Sequence, residues 1–243
     1  VLPVFVGRAT RGVEFFEHAE KTYEAVLRLG LHTDTEDITG TVLAEKEVSI
    51  TAEQFLSVLE NFRGQIQQIP PMYSAIKVNG QKLCDLARKG REVERQPRTI
   101  TIHKLECLEF TGKTARLLVH CSKGTYIRTL CKDIGEALGC GGCMESLRRV
   151  TAGEYTIENA VPLQTLIECS APGEYLLPVD SMFRQYPAVT LTEKQEKCCR
   201  NGVAFTTNLP EGAYRVYDQK GEFLALSHMV EGKLTTIKSF WAV

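Results

Sequence analysis

The chain has 243 residues, 43% of them hydrophobic and 24% charged, with a formal net charge of −1. That is the balance of a globular protein of one large domain or one domain plus a small one. It excludes a disordered or fibrous chain, and no apolar run approaches the ~20 residues needed to span a bilayer. Nine cysteines form no even framework, and in a chain this long they read as reduced, mostly buried thiols of a cytosolic protein.

Val4, Phe5 and Val6 read as packed apolar positions near the start. Lys21 to Gly30 alternates, with Tyr23, Ala25, Leu27 and Leu29 on one face, which predicts a half-buried strand. A polar loop, His32 to Asp37, follows and closes at Gly40. Thr51-Ala52-Glu53-Gln54 is a capping box ahead of an apolar stripe from Phe55 to Phe62, so a helix starts there. Gly64 lies just past it, where a left-handed residue is expected.

Pro70-Pro71 breaks the chain, and Asn79-Gly80 is a strong signal for a two-residue hairpin. Lys82 to Lys89 predicts a short basic helix stopped by Gly90. Thr99 to Phe110 and Ala115 to Cys121 read as two strands joined at Gly112-Lys113. Thr125 to Leu138 reads as a helix with Ile127, Leu130, Cys131, Ile134 and Leu138 on its core face. A Gly/Cys turn and the segment Met144 to Val150 come next. In the tail, Thr192 caps a short helix running to Arg200. Tyr214 to Tyr217, Phe223 to Leu226 and Leu234 to Phe240 read as short strands separated by turns.

The net charge alone argues against a nucleic-acid partner, but its distribution argues for one. Arg63, Lys77, Lys82, Arg88, Lys89, Arg91, Arg95 and Arg98 outnumber the acids of their stretch, and Lys123, Arg128, Lys132, Arg148 and Arg149 form a second group. The segment Cys121 to Leu130 carries the most information. A glycine turn delivers Tyr126 and Arg128 to the first turn of a helix, where anions are favoured. An aromatic face beside a charged fork suits the holding of a carboxylate or phosphate next to a flat ring.

Lys21-Thr22-Tyr23, Pro70-Pro71-Met72-Tyr73-Ser74-Ala75-Ile76-Lys77, Ser122-Lys123-Gly124-Thr125-Tyr126-Ile127-Arg128 and Ser146-Leu147-Arg148-Arg149 occur in a fixed order. Together they resemble the bacterial tRNA pseudouridine synthase B family, the TruB enzymes. The resemblance implies an α+β pseudouridine synthase fold with a mixed, largely antiparallel central sheet over residues 1–178. It implies a thumb insertion at about 67–98 and a small β-rich, PUA-like RNA-binding domain over 179–243. The implied activity is isomerisation of uridine 55 in the T-loop of tRNA, in the cytoplasm, by a monomer with tRNA as partner, no cofactor and no metal.

Residue by residue, the resemblance gives Tyr23 a stacking and proton-transfer role, although its strand pattern alone favours a core residue. Tyr126 and Leu147 would line the uridine pocket, and Asp37 would support it; by pattern alone Leu147 is a core leucine and Asp37 a turn former. Lys77, Lys82, Arg88, Lys89 and Arg91 would meet RNA phosphates. Arg128 would pair with the catalytic Asp of the family's Gly-x-Leu-Asp-Pro-x-Ala-Thr-Gly motif. That motif is not among these residues, since Val1 to Thr10 looks like the segment just after it. The 243 residues by themselves are therefore expected to be inactive, and the alternative reading is an RNA-binding or RNA-folding fragment. Cys140-Gly141-Gly142-Cys143 is half a zinc site without a second pair of suitable spacing, so no metal is expected.

Overall fold

The computed structural model describes residues 1–241. It divides into two compact units, residues 1–3 with 18–160 and residues 4–17 with 161–243. This division falls earlier than the sequence boundary at 178 and moves an N-terminal segment into the second unit.

In chain order, α1 (Val13–Phe16) precedes β1 (Lys21–Leu29), β2 (Leu31–Thr33) and β3 (Val42–Glu45). Then come α2 (Ala52–Leu59), β4 (Gly64–Gln68), β5 (Lys77–Val78), β6 (Gln81–Lys82) and α3 (Leu83–Ala87). The long strands β7 (Arg98–Phe110) and β8 (Thr114–Cys121) lead into α4 (Ile127–Ala137), β9 (Gly142–Ala152) and β10 (Tyr155–Thr156). The remainder holds α5 (Leu163–Glu168), β11 (Ala188–Thr190), α6 (Glu193–Arg200), β12 (Phe205–Thr206), β13 (Gly212–Tyr217), β14 (Phe223–Val230) and β15 (Lys233–Ser239).

The first unit is built on a six-stranded sheet in the order β10-β9-β1-β8-β7-β4. Its pairings are antiparallel throughout. The alternation read in β1 buries Ala25, Leu27 and Leu29. They pack with Leu117 and Val119 of β8 and Ile102 and Leu105 of β7. Phe55 and Leu59 of α2 and Ile127, Leu130, Cys131 and Ile134 of α4 close the same core. Each of these large side chains contributes about 1.5–3 kcal/mol on burial, so the sheet face and two helices define where α4 can lie. The capping box forms: Thr51 accepts from the Gln54 amide and Gln54 accepts from the Thr51 amide. Asn79 and Gly80 take φ of 50° and 79°, the left-handed pair that a tight hairpin between β5 and β6 requires.

Gly135 lets α4 approach the chain that follows it. A Cβ there would stand 2.3 Å from the Gly141 carbonyl carbon and the Gly142 nitrogen. The expectation that Val4 and Val6 are packed is corrected. Val4 is 74% exposed and Val6 is also exposed, because residues 1–6 join none of the described strands.

The second unit holds a five-stranded sheet, β11-β13-β14-β15-β12, in which only β11 runs parallel to its neighbour. Val216, Leu224, Met229 and Leu234 form its core with Leu191 and Cys199. Arg8 donates to the Phe240 carbonyl at 3.1 Å, and Glu14 pairs with Lys238 at 2.6 Å, so the 4–17 segment is fastened to β15 and its C-terminal end.

Candidate functional site

Three segments of the first unit converge on the N-terminus of α4. Tyr126 is the N-cap residue, with extended φ and ψ, and it has no side-chain cap of its own. Gln68, at the end of β4 and only 2% exposed, substitutes for one. Its Oε1 accepts from the Tyr126 amide at 2.8 Å and its Nε2 donates to the Tyr126 carbonyl at 3.1 Å. One buried amide thus satisfies both polar groups of a single residue, which fixes the peptide planes on either side of the Tyr126 ring.

Two residues later, Arg128 donates through Nη2 to the Tyr73 carbonyl at 2.8 Å and through Nη1 to the Thr35 carbonyl at 3.5 Å. Tyr73 belongs to the Pro-Pro-Met-Tyr-Ser-Ala run between β4 and β5, and Thr35 to the polar loop. The guanidinium is half-buried, and among the described residues no carboxylate forms an ion pair with it. It is a held cation with neutral partners on two sides.

Tyr23 sits on β1 between Val119 of β8 and Arg149 of β9. It is half-buried and packs against the hydrophobic core. Burial pushes its phenol above the ordinary tyrosine value, the nearby Cys121 adds to this, and Arg149 opposes it. Arg149 also exchanges two bonds with Val1: the Val1 nitrogen donates to the Arg149 carbonyl at 2.6 Å, and Arg149 Nε donates to the Val1 carbonyl at 2.7 Å. Val1 therefore lies beside the cross-strand neighbour of Tyr23. Burial and the positive charge of Arg149 together lower the pKa of Lys21 at the start of β1.

Leu147 is 43% exposed and pairs across the strands with Ala25, so it is not a core leucine. The Asp37 carboxylate accepts from the Thr39 amide at 3.0 Å and the Thr39 hydroxyl at 2.7 Å, as a turn-forming Asp does. Its backbone bridges Met144 of β9. Lys77, Lys82, Arg88, Lys89 and Arg91 are all exposed in the segment between β4 and β7, and Arg88 makes a long side-chain contact of 3.5 Å with Asp85. The two ends of that segment are joined, because Arg95 donates to the Pro70 carbonyl at 3.1 Å and β4 pairs with β7. Cys140 donates its thiol to the carbonyls of Gly135 and Gly141. Among the described residues no group of three or more His, Cys, Asp or Glu side chains is placed to hold a metal ion.

Sequence reasoning missed Gln68 and the carbonyls of Tyr73 and Thr35. A glutamine in the polar run Gly64–Gln68 gives no pattern signal, since its burial follows from long-range packing.

The fold is shared with solved structures. A chain from an H/ACA RNP bound to a substrate RNA containing 2'-deoxyuridine aligns with a TM-score of 0.68 at 20% identity, covering 98% of this chain and 71% of the other. One from a Cbf5-Nop10-Gar1 complex aligns with a TM-score of 0.67 at 23% identity, covering 100% and 72%. The architecture is thus the pseudouridine synthase fold, as the α+β reading expected.

The family follows from closer matches. Residues 1–127 match the TruB family pseudouridylate synthase (N terminal domain), and residues 128–184 match the tRNA pseudouridylate synthase B C-terminal domain. Proteins named tRNA pseudouridine synthase B are 44% identical over 239 residues in Pseudomonas fluorescens and 40% identical over 241 residues in Pseudomonas aeruginosa. The matches cover 95% of this chain and 78% and 79% of those relatives. The chain belongs to the TruB family of pseudouridylate synthases.

Proposed function

We propose that this chain belongs to a tRNA pseudouridine synthase that isomerises uridine 55 in the T-loop. The reaction breaks the C1′–N1 bond, rotates the base and forms a C1′–C5 bond; C5 loses a proton and N1 gains one. It needs a carboxylate, a way to hold an extruded base, and no net oxidation.

One observation carries the reading: Arg128, at the N-terminus of α4, is held by the Tyr73 and Thr35 carbonyls and has no carboxylate partner among the described residues. A fork restrained in this way suits a carboxylate brought to it, and it keeps that carboxylate ionised. We assign this partner to the Asp of the Gly-x-Leu-Asp-Pro-x-Ala-Thr-Gly motif, preceding Val1. The docking of Val1 on Arg149, opposite Tyr23, supports entry of that segment on the Tyr23 side. Tyr23 would stack on the flipped base, at about 1–3 kcal/mol per stacked base, with Tyr126 and Leu147 lining the pocket. The Tyr23 phenol is neutral near pH 7 and burial shifts it further that way, so it can donate a hydrogen bond or pass on a proton. Asp37 shapes the loop beside it.

The exposed lysines and arginines of the thumb would meet T-arm phosphates, and the five-stranded tail domain would be a PUA-like RNA-binding module. We further propose a cytoplasmic monomer needing neither metal nor cofactor; no described helix is long and apolar enough to cross a membrane. The test is conversion of a T-loop transcript, read by nucleoside chromatography. A form in which Gly-x-Leu-Asp-Pro-x-Ala-Thr-Gly precedes Val1 should produce pseudouridine, and the 243 residues alone should bind without converting. Failure of the Asp-bearing form to convert leaves the RNA-binding reading in its place. Conversion by the 243 residues would show that another carboxylate serves.

A further inference from the structure

Glu36 is an unusual residue for the loop it occupies. Its φ is +62°, a left-handed conformation that costs an L-residue with a side chain about 1–2 kcal/mol. It is also only 8% exposed, although a glutamate is rarely buried unless it is paired. The structure gives it partners. Oε2 accepts from the Thr129 hydroxyl at 2.6 Å, and Oε1 lies 3.6 Å from Lys132 Nζ. Both partners are on α4.

The backbone of the loop is tied down as well. The Met144 amide donates to the Glu36 carbonyl at 3.0 Å, and the Ile38 amide donates to the Met144 carbonyl at 2.8 Å. Residue 36 is thus cross-linked to α4 through its side chain and to β9 through its main chain. The preceding carbonyl, Thr35, is the one that accepts from Arg128.

We propose that Glu36 is a positioning residue: its buried carboxylate fixes the 33–40 loop on α4 and so sets the Thr35 carbonyl against Arg128. The Arg128–Thr35 contact is already at the limit of a hydrogen bond, so a shift of the loop by about 1 Å breaks it. Arg128 then keeps the Tyr73 carbonyl alone and can swing. Thr129 and Lys132 lie one and four positions after Arg128 on the same helix, so the latch and the cation it serves move as one body. The backbone strain at 36 is offset by these contacts, and that is the pattern of a conformation over-determined by its surroundings.

This inference rests on the reading of Arg128 as the partner of an acid, and the experiment separates the two. In the Asp-bearing form, Glu36→Gly removes the carboxylate while easing the positive φ, Glu36→Gln keeps an acceptor for Thr129, and Thr129→Val removes the hydroxyl at nearly constant volume. Glu36→Gly and Thr129→Val should lower kcat by about tenfold or more, the scale of a misplaced catalytic group. Their KM should stay within about twofold of the parent, since no RNA contact is lost. Glu36→Gln should retain most of the parental kcat.

Amide exchange at residues 35–38 should speed up in the same two variants, and this can be read in the 243-residue chain without turnover. Parental kcat and parental exchange in Glu36→Gly overturn the proposal, as does a Glu36→Gln variant as slow as Glu36→Gly. If the parent makes no pseudouridine, the proposed function fails, while the exchange data still judge the latch.

Discussion

Replacing Arg128 by lysine isolates the fork from the charge. The guanidinium donates to carbonyls on two different segments, at 2.8 and 3.5 Å, and two such bonds need nitrogens a fixed distance apart. An ammonium is a point donor, so at least one carbonyl loses its partner and the bidentate grip on an arriving carboxylate is lost. A hydrogen bond to a charged group is worth about 1.5–3 kcal/mol. Lysine keeps the Coulomb attraction but loses one such bond in the reacting state, which converts to a fall in kcat of about 10- to 150-fold. No RNA phosphate is involved in the assigned role, so RNA affinity and its salt dependence should barely change. The assay is turnover of a T-loop transcript at saturating RNA by the Asp-bearing form, with binding measured in parallel. Turnover within about twofold of the parent would falsify the assigned role, because the variant would then have lost no transition-state contact.

Gln68→Ala should remove both bonds to Tyr126 and cost about 1–3 kcal/mol of stability, because it leaves the Tyr126 amide unpaired while the Tyr126 carbonyl keeps its helix bond from the Leu130 amide; an unchanged melting temperature contradicts this. Gly135→Ala should destabilise by about 3 kcal/mol or more, since backbone atoms 2.3 Å away cannot yield and the clash outweighs a helix-propensity gain of about 1 kcal/mol. A variant as stable as the parent in urea would refute that. Burial pushes the Asp133 carboxyl up to about 6 from 3.8, with Lys132 opposing the shift. The folded state therefore holds this proton more tightly than the unfolded one, so its contribution to stability is present below about pH 4 and is lost as pH rises through 6. Asp133→Asn should accordingly be the more stable protein at pH 7.5, by on the order of 1 kcal/mol after allowing for the group's partial exposure, with the difference vanishing near pH 4 in paired urea melts. Reversing Lys82 and Lys89 together should weaken binding to all RNAs alike and lower the log–log salt slope by roughly 1.5–2 if each meets one phosphate; an unchanged slope refutes their role.

The parts of the fold legible in the sequence are those governed by local rules. Alternation gave β1, because one face of that strand meets a continuous core. The Thr51 and Thr192 capping boxes and the Asn79-Gly80 turn were readable because each closes within four residues. The sequence shows only a polar loop from His32 to Asp37 where β2 pairs with β3, since all four residues of β3 are exposed and carry no two-residue period. The register of β9 was hidden for a different reason: its pairing with β1 shifts at Thr22/Tyr23 and again at Val26/Leu27, and each shift breaks the period. Glu36 and Gln68 were invisible because a polar residue in a polar run reads as surface, and only the folded chain brings Thr129 or the Tyr126 peptide to it.

The same contrast bears on the site. Tyr126 and Arg128 were legible as a pair at a helix start, yet a cation there is of the wrong sign. The helix N-terminus carries a positive partial charge, and a like charge in the first turn costs roughly 0.3–1 kcal/mol. Nothing in the stability of α4 explains an arginine at its second position. Two carbonyls from distant segments meet its donors, and neither brings a negative charge. The arrangement is incomplete by electrostatics alone: helix end and guanidinium both favour an anion, and among the described residues Arg128 pairs with none. A carboxylate entering there is favoured by two sources at once. It would be ionised and oriented before any base arrives, which is the state the proposed reaction would need of its carboxylate.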